Sequence, residues 1–190
     1  MEGKEYKILD ESDLSKKDRS LFVVFENECN KNKEVFKIEH DINVCPAIFD
    51  NIDIYAKFED INDKYFIIFN VGSSIKNYEI NPCSLHESSH AKIKEGGRSV
   101  RLVKEIAEAA LIAYKSVTRE LFGRERLDSY LDMYIEEMDN VYIAEEIVCE
   151  IASLDIVPEI QKAVIDIIIK NDINDSDIDY LKNNLPLLFQ

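Results

Sequence analysis

The chain has 190 residues, 46% of them hydrophobic, with 38 acidic and 23 basic side chains and a net charge of −15. A surface of that sign repels nucleic acid and anionic membranes, so direct binding to either is not expected. Gly (5) and Pro (4) are too few for long flexible linkers, and no apolar stretch reaches the ~18 residues of a membrane span.

Leu21-Phe22-Val23-Val24-Phe25 reads as a buried strand, and Val35, Phe36 and Ile38 begin another. Ile52, Ile54, Ala56 and Phe58 alternate at the half-buried strand period. The polar stretch Glu59 to Lys64 turns the chain, and Tyr65 to Val71 returns as the second arm of a hairpin. Gly72-Ser73-Ser74 leads to a last short strand over Asn77 to Ile80.

From Arg98 the apolar period becomes helical. Val103, Ile106, Ala107, Ala110, Ala113, Tyr114, Val117 and Leu121 form one face of a helix ending before Gly123, widened by Leu102, Ala109 and Ile112. Further helices are predicted over Arg124 to Asp139, Val141 to Leu154 and Pro158 to about Lys170. A short last one is capped by Asp175 or Ser176 and ends before Pro186. The predicted fold is α+β. An antiparallel sheet of four to five strands over 1–82 packs on a bundle of about five helices over 83–190, the two forming one compact unit.

The chain's sharpest chemical motif is His86-Glu87-Ser88-Ser89-His90. On a helix, residues four apart share a face, so the two imidazoles can bind one tetrahedral Zn²⁺. Glu87 can take a proton from the metal-bound water. The pentapeptide resembles the H-E-x-x-H pattern of the zincin metallopeptidases. The resemblance covers five residues and implies a zinc-dependent hydrolase with Glu87 as general base. The metzincin extension is absent, since Ile93 and Gly96 stand where Gly and His belong, so Glu105 or Glu108 of the next helix is the expected third ligand. Cys83, three residues before His86, offers a thiolate instead. Around the motif only Leu85, Ala91 and Ile93 are apolar. A helix this polar is otherwise expected at the surface with solvated histidines.

No G-x-S-x-G elbow, phosphate loop or paired C-x-x-C is present, and the aspartate-rich loop Asn171 to Asp179 lacks the Gly and Glu of a calcium-binding EF-hand. Nine basic residues against five acidic ones lie between Ala91 and Arg126, a basic island expected to pair with the acidic remainder. The leading expectation is an acidic, non-catalytic interaction or regulatory protein, an inhibitor or adaptor that can imitate nucleic acid. It needs no cofactor and binds a protein partner with a basic surface. The helical spacing of Asp128, Asp132, Glu136 and Glu137, then Glu145, Glu146 and Glu150, predicts a continuous negative band for that partner. The zinc-dependent hydrolase is the alternative, with zinc as its cofactor. Residues 1–5 carry no apolar signal, and the irregular cysteines at 29, 45, 83 and 149 read as reduced thiols, which predicts a cytoplasmic protein.

Overall fold

A computed structural model describes residues 5–116 and 125–189. The chain divides into two compact units, Met1–Ala91 and Lys92–Gln190. The fold is α+β: all strands among the described residues lie in the first unit, and helices dominate the second.

The first unit opens with β1 (Tyr6–Ile8) and α1 (Lys16–Phe36). It continues with β2 (Ile42–Phe49), β3 (Ala56–Ile61), β4 (Lys64–Asn70) and the start of α2 (Ile80–Glu95). The four strands form one sheet in the order β1-β2-β4-β3. β3 and β4 make an antiparallel hairpin as expected, but its first arm is Ala56–Ile61 rather than Ile52–Phe58. Glu59, Asp60 and Ile61, expected in the turn, therefore pair with β4, and Asn62 and Asp63 form the tip in the left-handed region. That is the conformation a tight hairpin turn requires. The sheet is mixed rather than antiparallel, because β2 runs parallel to β4, pairing Ile42 with Tyr65 through Ala47 with Asn70.

Three local expectations are overturned. Leu21–Phe25 and Val35–Phe36 belong to α1, not to strands. Its buried stripe is Phe22, Phe25, Cys29, Asn32 and Phe36, while Val23 and Val24 face solvent. The helix opens on Ser15, whose Oγ accepts the Asp18 N–H at 3.2 Å. The predicted strand at Asn77–Ile80 is a turn of 3-10 helix running into α2. β2 was missed because Pro46 interrupts it. The Pro46 carbonyl accepts from Leu9 N–H, so its ring nitrogen also faces the β1 side, where the ladder ends, and no bond to β4 is lost. One sheet face packs Ile67 and Phe69 on Phe22, Phe25 and Cys29 of α1, with Phe25 stacked on Phe69. The other face carries Tyr6, Ala47, Phe49 and Ile68.

The second unit holds α3 (Val100–Ser116), α4 (Glu125–Glu136), α5 (Val141–Ser153), α6 (Pro158–Lys170) and α7 (Asp175–Asn184). α3 packs on α5, α4 and α7, and α5 also packs on α4 and α6. Asn140 caps α5 and Asn174 caps α7, while Pro158 opens α6. The expected end of the first long helix, with Val117 and Leu121, lies outside the described residues. Ile112, expected to widen the apolar stripe of the first long helix, is exposed.

Candidate functional site

α2 carries the His-Glu-Ser-Ser-His pentapeptide and runs through the boundary between the two units. Pro82 fits its first turn, where backbone N–H groups have no intrahelical acceptor. Its end is a Schellman turn: Gly97 has φ +78°, Arg98 N–H reaches Ile93 O at 2.8 Å, and Gly97 N–H reaches Lys94 O at 3.0 Å.

The helix is not a solvated surface element. Every residue from Cys83 to Ser89 is buried, and His86 is only 4% exposed. The polar composition hid this, because small hydroxyls can be buried when they bond locally. Ser89 Oγ donates to Leu85 O at 2.8 Å. Ser84 Oγ accepts from Asn32 Nδ2 of α1 at 2.9 Å and donates to Cys29 Sγ at 3.4 Å. The buried Asn32 thus ties α1 to the helix that bears the histidines.

His86 and His90 lie on one face of α2 with their Nε2 atoms 3.2 Å apart and their rings at 68°. Two nitrogen ligands of a tetrahedral zinc, each about 2.0–2.1 Å from it, are themselves about 3.3–3.4 Å apart. The pair therefore stands near the bite that zinc demands. In the metal-free state the same spacing suits a hydrogen bond in which one ring donates and the other accepts.

Glu87 is buried beside His86. Burial pushes the Cys29 thiol up to about 12; the Ser84 hydrogen bond opposes this, and the charge of Glu87 adds to it. Glu87 is therefore felt on the α1 side of the helix. Cys83 packs in the apolar core with Phe22, Phe25 and Ile80. Glu105 of α3 is half-buried, and Glu108 is exposed, near enough to Tyr134 to add to the effect of burial in raising its phenol.

The expected acidic band is broken. Asp132, Glu136 and Glu137 are exposed and Glu146 is half-buried, but Asp128, Glu145 and Glu150 are buried. For Glu145 and Glu150 the cause is α5, which is covered on nearly every side from Ile143 to Ser153, so it has no fully outward acidic face. Arg98 Nε meets Glu145 Oε2 at 2.6 Å, and Arg126 Nε lies 3.7 Å from Glu150 Oε2. Arg98 also lies 5.1 Å from the Tyr142 ring centroid. Part of the basic island thus pairs internally, as expected. The pairing partners were not legible, because buried and exposed acids look alike in sequence.

None of the four cysteines is in a disulfide, and no described helix is long and apolar enough to cross a membrane. No family model, no curated protein and no solved structure matches the chain.

Proposed function

We propose that this is a non-catalytic regulatory protein that holds one zinc-class ion through His86 and His90. The observation that carries the reading is the 3.2 Å separation of the two Nε2 atoms on a buried helix. Imidazole pairs suit zinc and its neighbours among the divalent transition metals. A hydrolytic site must admit a substrate and keep an open ligand position. The burial of Leu85, His86, Glu87 and Ser88 favours a structural or sensing metal instead. The acids that remain exposed, Asp132, Glu136 and Glu137, together with the net charge of −15, support a partner with a basic surface. Four cysteines outside any disulfide fit a reducing compartment, which supports a cytoplasmic location.

Metal analysis and zinc titration of the full chain, with H86A and H90A as controls, test the reading. A third ligand is sought among three carboxylates by single Gln substitution: Glu146, Glu105 and Glu108. The half-buried Glu146 and Glu105 come first, and the exposed Glu108 last. Glu87→Gln separates the two metal chemistries. Full zinc uptake with no peptidase activity in either parent or variant supports the regulatory reading. A peptidase activity lost in Glu87→Gln supports the hydrolase.

A further inference from the structure

A groove lies wholly within the first unit, between the start of α1 and the segment joining β4 to α2. Its volume is about 580 Å³. Small-molecule sites span about 300–1,000 Å³. Leu21, Val24, Val71 and Ile75 supply an apolar lining, and Lys17 and Lys76 bring two ammonium groups to it. Val24 is 47% exposed, an apolar side chain on the face of α1 away from its core stripe.

The charge of the groove departs from that of the chain. In a protein of net charge −15, its lining holds two lysines and one carboxylate, Asp18. That carboxylate accepts the Ser15 hydroxyl at 2.7 Å; neither lysine ammonium pairs with a carboxylate among the described residues, while the Lys76 backbone N–H donates to Glu79 Oε2 at 2.6 Å. Ser20 Oγ donates its hydrogen to Lys16 O and Ser73 Oγ donates to Asn70 O, so the side-chain donors the lining leaves to a ligand are Lys17, Lys76, Ser74 and Asn77. Two lysines against the single carboxylate of Asp18 match a singly charged carboxylate better than a doubly charged phosphate.

We propose that this groove binds a small amphiphilic carboxylate, its tail on Leu21, Val24, Val71 and Ile75 and its head held by Lys17 and Lys76. The proposal is independent of the metal reading.

The test is titration of the ¹⁵N-labelled full chain with octanoate, followed by amide shifts. Saturable shifts are expected at residues 17–24 and 71–77, with weaker binding of butyrate and none of an octyl trimethylammonium ion. Lys17→Glu/Lys76→Glu, at two exposed positions, is expected to weaken octanoate binding about tenfold through loss of both charge-assisted contacts. Val24→Asp removes the tail contact and is expected to weaken octanoate more than butyrate. The milder Lys17→Gln/Lys76→Gln pair serves if the charge reversal disturbs folding. The proposal is overturned by absence of saturable shifts into the millimolar range. Shifts that map outside these segments, equal binding of the cationic probe, or indifference to both lysine variants also overturn it.

Discussion

The Nε2 atoms of His86 and His90 stand 3.2 Å apart across one turn of α2. The two rings occupy the same helix face because their residues are four apart. They are held there by a helix whose other side is anchored to α1 through Asn32, Ser84 and Cys29. Rigid support matters, since a metal site loosened by an ångström loses much of its affinity.

Asn32→Ala is expected to destabilise the protein by about 1–3 kcal/mol, because it strips a buried hydrogen bond from Ser84 Oγ. Urea unfolding measures it. The double change Asn32→Ala/Ser84→Ala should cost less than the sum of the single changes, as neighbours in one network are not additive. Strict additivity would show that the Asn32–Ser84 contact contributes nothing.

Arg98→Ala leaves Glu145 buried without its counter-charge. The side chain of Glu145 is 3% exposed, whereas that of Arg98 is 32% exposed. A fully buried pair broken on one side costs about 3–5 kcal/mol, and the partial solvation of Arg98 lowers the expectation to about 2–4 kcal/mol. Glu145→Gln should cost less, since it removes the charge that Arg98 offsets. If Arg98→Ala proves the milder change, the pair is not what stabilises this corner of the helical unit.

A Cβ on Gly96 would stand 2.5 Å from Asn171 Cγ, and Asn171 Nδ2 donates to Gly96 O at 2.6 Å. Gly96→Ala therefore displaces the Asn171 side chain and breaks that bond, at about 1–2 kcal/mol. Asn171 has φ +50°, which glycine adopts without strain. Gly96→Ala/Asn171→Gly should consequently fall short of the summed single costs in thermal melts. A fully additive pair would contradict the predicted clash.

Cys29 and Tyr6 make stability fall at alkaline pH. Burial lifts the Cys29 thiol from an ordinary value near 9.0 to about 12. Tyr6 is raised by burial and by its hydrogen bond to Glu59. Between pH 9 and 12 the unfolded thiol has lost its proton while the folded one keeps it, so the unfolded state gains as pH rises. Stability should drop by about 1.4 kcal/mol per pH unit for each such proton. Cys29→Ala should remove the thiol's share of the slope in pH-dependent urea unfolding. An unchanged slope would mean the Cys29 thiol is not buried in the folded state.

Helices were easier to read from this sequence than the sheet. α6 runs from Pro158 to Lys170 as its proline start and apolar period indicate. α1 was misread because Val23 and Val24 fill a strand-like run while a buried Asn32 interrupts its helical stripe. The signal available was the Ser15-to-Asp18 cap. The parallel β2–β4 pairing is a long-range choice that no local pattern encodes. At the candidate site, spacing was enough to place His86 and His90 on one face. Their burial was hidden, because serines that bond within the fold look like serines that face water.

Zinc titration of the metal-free full chain against His86→Ala/His90→Ala, read by calorimetry and thermal melting, tests the central claim most directly. The account predicts one zinc per chain for the parent and loss of that binding in the variant. With free zinc at a hundredfold excess over the dissociation constant, binding adds about 2.7 kcal/mol and raises the melting temperature by about 5–10 °C. Equal zinc uptake by parent and variant, or no uptake by the parent, would contradict it.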